Sequence, residues 1–174
     1  MGIEPPPQRL EIAVVSEKEL YENPAGGGPG PVGSLEEALE GTTWRAEVGR
    51  FALVGFAAGP RIEDLALLGR APAQIVREEE GTTLLVAEDA VEAVLVRHPG
   101  ARVERGLVWI RFSVAMDWEL VGFLAHVTTA LAAAGVPVGC VCGFDRDHLF
   151  LAEVHLERAT AVLDGLFPPR SGLR

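Results

Sequence analysis

The chain is poor in cysteine, in positive charge and in leader-like patterning, and each shortage removes a class of protein. Its two cysteines, Cys140 and Cys142, are separated by one residue, so they cannot staple distant segments, and nothing calls for an oxidising compartment. Fifteen Lys and Arg stand against 25 Asp and Glu, a formal net charge of −10. A field of that sign repels phosphate backbones and anionic headgroups, which removes nucleic acid and membrane surfaces from the expected partners. The opening MGIEPPPQRLEIAVV lacks the basic segment and apolar run of a secretory signal, and a cytoplasmic location is expected. There is no Gly-x-Ser-x-Gly, phosphate-loop, Gly-x-Gly-x-x-Gly or His-Glu-x-x-His pattern, and the carboxylates do not sort into an acid and a base. The sequence therefore predicts no catalytic residue, no cofactor and no metal.

What is present is apolar: 48% of the 174 residues are hydrophobic and the mean hydropathy is +0.22, enough for one domain of average size or two small ones. Leu120 to Phe144 holds no formal charge with His126 neutral, and its length would permit a membrane crossing. Gly135 and Pro137 break it and Thr128 and Thr129 interrupt it, so a helix, a turn and a strand are expected instead.

Residues 1–42 differ from the rest. Pro5 to Pro7 and the GGGPGPVG stretch from Gly26 to Gly33 have the composition of a linker. Within them Ile12 to Val15 fits a short edge strand, and Ser34 with Glu37 has capping-box spacing ahead of a helix over Leu35 to Leu39. A tail, 169–174, closes the chain.

From Thr43 the pattern is dense. Phe51 to Phe56 reads as a buried strand and Ile62 to Leu68 as a short helix. Ala73 to Glu79 and Thr82 to Glu88 form a hairpin around Glu80-Gly81, Ala90 to Val96 a helix, and Arg102 to Arg105 a closing strand. The order then restarts with a strand over Val108 to Val114, whose alternate residues Val108, Ile110, Phe112 and Val114 share a face. Asp117 stands at the N-cap position of a helix striped by Leu120, Leu124, Val127 and Leu131 and ending near Gly135. Val136 to Gly143 and His148 to Val154 make a second hairpin, and Leu156 to Leu166 a second helix. The letters repeat too: LLVAEDAVEAVL (84–95) and LFLAEVHLERATAVL (149–163) each run a strand into Ala-Glu and a helix. The expected architecture is α+β, with two split β-α-β units over 43–106 and 107–168, antiparallel sheets and helices on one face.

The block FSVAMDWELVGFLAHVTTALAAAGVPVGCVCGFDRDHLFLAE (112–153) resembles the ACT domain family, in particular short two-copy bacterial ACT proteins related to CASTOR-type arginine sensors and to aspartate kinase regulatory domains. The resemblance spans about Trp44 to Leu166. Where the family has a Ser-Thr-Tyr-Asp-Thr-Asp hairpin, this chain has Cys142-Gly143-Phe144-Asp145-Arg146-Asp147: both aspartates match, and Cys, Gly and Phe replace the hydroxyl residues. The resemblance implies ferredoxin-like βαββαβ units and a non-catalytic regulatory or sensory protein. Its expected partner is an amino acid or similar small metabolite bound where ACT copies meet, and a homodimer is expected.

The expected binding residues are Asp117, Trp118, Glu119, Leu120, Val121 and Gly122 in the strand-to-helix turn, facing Gly139, Cys140, Val141, Cys142, Gly143 and Phe144. First-turn helix amides are unsatisfied donors suited to a ligand carboxylate, and Asp117 can meet an ammonium or simply cap its own helix. The small residues of the Val136 to Gly143 strand admit either a ligand or a close-packed backbone. Cys140 and Cys142 read as small buried apolar residues. His98 and His126 read as surface or helix-face residues, Asp145 and Asp147 as turn residues, and Glu78 to Glu80 as a solvated charge run. Two other readings make different predictions. A non-catalytic interaction or dimerisation module would bind no amino acid. A thiol or metal enzyme built on Cys140, Cys142 and His148 would carry zinc or a low-pKa thiol.

Overall fold

One long strand, Arg102–Phe112, organises the molecule. A computed structural model describes residues 30–167; the expected strand at Ile12 to Val15 and the tail 169–174 lie outside the described residues. From Pro31 onward the elements run α1 (Leu35–Gly41), β1 (Trp44–Ala46), β2 (Phe51–Phe56), α2 (Ile62–Ala66), β3 (Gln74–Arg77), β4 (Thr82–Ala87), α3 (Val91–Arg97), β5 (Arg102–Phe112), α4 (Phe123–Ala133), β6 (Gly139–Cys142), β7 (Asp147–Ala152) and α5 (Leu156–Leu166). Arg102 to Arg105 and Val108 to Val114, expected as two strands, are one strand that ends at Phe112. The polar stretch around Glu104 hides the continuity in the sequence; Arg102 to Glu104 pair with β2, and the pairing resumes at Leu107 after an irregularity in register.

All pairing within the sheet is antiparallel, in the order β3-β4-β2-β5-β7-β6, with β1 also on β5. Arg102 to Leu107 pairs with β2. Leu107 to Arg111 pairs with β7, and Ile110 to Phe112 pairs with β1 on its other edge. Two four-stranded arrangements thus share β5: β5-β2-β4-β3 and β1-β5-β7-β6. Each has the ferredoxin-like order, last strand beside first, then third, then second. In the second, the last position is filled by β1, which comes from the N-terminal side of the first.

Period-two alternation divides the apolar residues between the two faces. Ala52, Val54, Leu84 and Val86 pack under α3. Val108, Ile110, Phe112, Leu149 and Leu151 pack under α1, α4 and α5 with Ala38, Val127, Leu131 and Leu163. The opposite face gathers Phe51, Leu85, Leu107 and Phe150, with the Phe51 ring edge-on to Phe150 at 5.7 Å. The sheet curls around this second cluster until residues from both of its edges, Gln74 of β3 and Val141 of β6, line one cavity of about 410 Å³.

The linker composition of 1–42 conceals a packed stretch. Ser34 Oγ accepts the Glu37 N–H at 3.2 Å, so α1 starts where the capping spacing places it, and Ala38 is fully buried. Val32 forms a parallel bridge with Met116, and the Trp44 indole N–H donates to Asp164 Oδ1 at 3.1 Å. Four small apolar residues, Val32, Leu35, Ala38 and Leu39, suffice to seat 31–42 on the second core. His98 is likewise not a surface residue: it is 6% exposed, lies 3.7 Å from the Phe56 ring in a stacked pair, and its Nε2 is 2.7 Å from Asp64 Oδ2. Among the described residues no helix is long and apolar enough to cross a membrane.

Candidate functional site

The loop from β5 to α4 is longer than the helical stripe suggests. Asp117 does not cap α4. Its Oδ1 accepts the Glu119 N–H at 3.0 Å and its carbonyl accepts the Leu120 N–H at 3.0 Å, a local turn that uses up the residues expected as the first helical turn. The helix begins at Phe123, and its N-cap is Gly122 at φ 105°, with no side-chain cap. A left-handed backbone there favours glycine, and a Cβ would also lie 3.2 Å from Leu35 Cδ2. The N-terminal segment holds the loop in place: Asp117 N–H donates to Val32 carbonyl and Val32 N–H to Ala115 carbonyl, each at 2.9 Å.

Opposite the loop stands the β6–β7 turn, closed by Gly143 N–H on the Arg146 carbonyl at 2.8 Å; Met116 N–H donates to the Asp145 carbonyl, also at 2.8 Å. Between loop and turn lies a cavity of about 240 Å³. It is lined by seven of the expected residues, Asp117, Trp118, Leu120, Gly122, Cys142, Gly143 and Phe144, together with Met116, Phe123 to Ala125 and Asp145 to Asp147. Glu119, Val121, Gly139, Cys140 and Val141 do not line it; Val141 lies at the cavity inside the curl. Phe123 to Ala125 were missed because the helix starts about one turn later than the Leu120 stripe implies. Arg146 was missed because an arginine between two turn aspartates carries no signal of its own.

The arrangement is chemically simple. The first amides of α4 have no partner within the helix, and they border the cavity at the positive end of the helix dipole. Asp117 in the loop and Asp145 and Asp147 in the facing turn supply negative charge, with the positive Arg146 between the last two. The exposed rings of Trp118 and Phe144, both part of its lining, stack at 6.3 Å.

Cys140 and Cys142 are exposed and free, which corrects their reading as buried apolar residues: β6 is an edge strand paired with β7, so solvent reaches it. Nearby atoms still desolvate the Cys142 sulfur, and burial, a hydrogen bond to Asp147 and the Asp147 charge push its pKa up to about 11. Cys140 is shifted the same way, by burial and by Asp147. Burial, then Arg111, lowers the His148 pKa, so the imidazole stays neutral. These are thiols that resist ionisation beside a neutral ring, the reverse of an activated nucleophile. Among the described residues no group of three or more His, Cys, Asp or Glu side chains is placed to hold a metal. Gly139 is not required for close approach, since a Cβ there would meet only Phe150 carbonyl at 3.9 Å; at Gly143 it would lie 3.0 Å from Arg146 carbonyl.

Residues 102–164 match the ACT domain family. Comparison with curated proteins finds no match. Among solved structures, the chain is similar to a Vibrio cholerae protein of unknown function described as a possible transport protein (24% identity, 76% of this chain and 94% of that one, TM-score 0.57). It is also similar to a protein from Agrobacterium tumefaciens (20%, 72% and 92%, TM-score 0.55). A third is the regulatory subunit of aspartate kinase from Thermus thermophilus, in its ligand-free form (14%, 72% and 97%, TM-score 0.54). At these identities the likeness is one of fold, and that fold is α+β and ferredoxin-like.

Proposed function

We propose that this chain is a non-catalytic regulatory or sensory protein with two ACT-type units, 43–106 and 107–168, the second completed by α1 and β1. It binds an amino acid or similar small metabolite in the cavity between Asp117–Gly122 and Cys142–Asp147. The observation that carries the reading is the uncapped N-terminus of α4 opening on that cavity. Its amides would take an α-carboxylate, and the facing aspartates would take the ammonium. The match of 102–164 to the ACT family and the fold shared with an aspartate kinase regulatory subunit support it. So does the repeated strand-to-helix turn: Ala87 (φ −61°, ψ 142°) and Ala152 (φ −64°, ψ 140°) each precede a single 3-10 turn before the helix.

Thermal unfolding against a panel of free amino acids tests the reading. A ligand at 100 times its dissociation constant stabilises by about 2.7 kcal/mol, and each kcal/mol moves the midpoint of a chain this size by roughly 2–4 °C. The expected result is a saturable rise with one amino acid that Asp117→Ala abolishes while the variant still folds. No rise with any of them rejects the reading.

Trp118 at 77%, Val121 at 85% and Phe144 at 62% exposure favour a second reading, an interaction module whose apolar rim docks on another chain, a second copy included. Retained self-association by light scattering without any amino-acid response selects it.

A further inference from the structure

The chain has a formal net charge of −10, yet the lining of one cavity of about 360 Å³ contains three arginines and no carboxylate. Arg45 comes from β1, Arg111 from β5 and Arg146 from the β6–β7 turn. Arg45 and Arg111 are direct partners across the β1–β5 pair, which places like charges side by side at a cost in stability. Glu47 offsets part of it. Its carboxylate is 2.5 Å from Arg45 Nη2 but 3.6 Å from Arg111 Nη1, beyond hydrogen-bond reach of the second guanidinium. Arg146 makes no ion pair among the described residues, and its Nε reaches only the Ser113 carbonyl, at 3.4 Å. Three guanidinia and no carboxylate line this cavity, and Arg111 and Arg146 are half-buried, where screening is weaker.

Two hydroxyls complete the lining. Ser113 Oγ accepts the Thr43 N–H at 2.9 Å and lies 3.1 Å from the Thr43 hydroxyl, a pair in which either hydroxyl can donate. The positive field extends to His148, whose pKa is lowered by burial first, then by Arg111, with Arg146 adding to it against Asp147. Arginine forks suit oxyanions because they donate paired, planar hydrogen bonds. A single carboxylate offers two oxygens; a tetrahedral phosphate offers enough to meet several forks and a hydroxyl at once.

We propose that Arg45, Arg111, Arg146 and Ser113 form an oxyanion site that takes the phosphate group of a small metabolite, separate from the amino-acid cavity and joined to it through Arg146, which borders both. Occupation of one cavity then bears on the other through that shared side chain, and any coupling must be reciprocal.

The test is isothermal titration and thermal unfolding of the full chain with inorganic phosphate, with succinate as the carboxylate arm and sodium chloride at matched ionic strength. Saturable phosphate binding is expected. Arg111→Gln should weaken it about tenfold or more, and Arg45→Gln, at an exposed position and outside the amino-acid cavity, should do the same if the first variant folds poorly. Arg158→Gln, on α5, should bind like the parent protein. A phosphate response no larger than that of sodium chloride overturns the proposal, as does a response that Arg45→Gln, Arg111→Gln and Arg158→Gln leave equally intact. Saturable succinate binding without phosphate binding overturns the assignment to a phosphate.

Discussion

Two side chains show how far environment alters residue chemistry here. Asp64 is fully buried, and burial opposes its charge. The Arg61 N–H at 2.8 Å, His98 and Arg97 more than offset that, and its pKa is lowered. A carboxylate depressed in the folded state contributes stability above its unfolded pKa of about 3.9, lost as pH falls through the folded value. Asp64→Asn is therefore expected to cost roughly 3–5 kcal/mol at pH 7, with the gap to the parent protein narrowing below about pH 4; urea titrations at several pH values measure it. Cys142 is altered in the opposite direction. With a pKa near 11 it is roughly 0.1% thiolate at pH 8, so its sulfur should react with iodoacetamide about tenfold more slowly than a thiol of ordinary pKa near 9, the greater nucleophilicity of the thiolate offsetting part of the loss. Equal rates would contradict the role given to Asp147. Neither behaviour is legible in the sequence, because Asp64 and His98 are 34 residues apart and exposure of Cys142 depends on β6 being an edge.

At the scale of elements, apolar period and glycine position were good guides, while boundaries set by tertiary contacts were not. The helix over Leu156 to Leu166 and both hairpins follow from local pattern alone. The start of α4 does not, since Val32 and Leu35, some 80 residues upstream, hold the preceding loop and crowd Gly122. Glycines separate in the same way. A Cβ on Gly81 would lie 2.6 Å from the Phe56 carbonyl, a backbone contact that only movement of the β2–β4 pair can relieve. Gly81→Ala should cost about 1–3 kcal/mol, whereas Gly139→Ala should stay within about 0.5 kcal/mol. Chemical denaturation of the two variants side by side tests the contrast, and an equal effect would mean that the β3–β4 turn yields easily.

For the whole molecule, the α+β class could be read from the letters, but not the pairing of β1 with β5. Composition set 1–42 apart as linker, and three residues of β1 are too few for a periodic signal. A chain starting at residue 47 would lose Ala38, Trp44 and the pairing of β1 with β5, leaving one flank of the second core uncovered. Such a truncation is expected to unfold at a lower midpoint and to bind the hydrophobic dye ANS, and an unchanged midpoint would show that β1 is dispensable. The arrangement also orders events during synthesis. Trp44 and its partner Phe112 are separated by all of the first unit, so when the ribosome has delivered β1 its place does not yet exist. The first unit can close as soon as Arg102 to Leu107 emerges. The early segment must wait unpaired for Ile110 to Phe112, and α5 must follow before Trp44 finds Asp164. Pairing of β1 with β5 is therefore expected among the later steps of assembly.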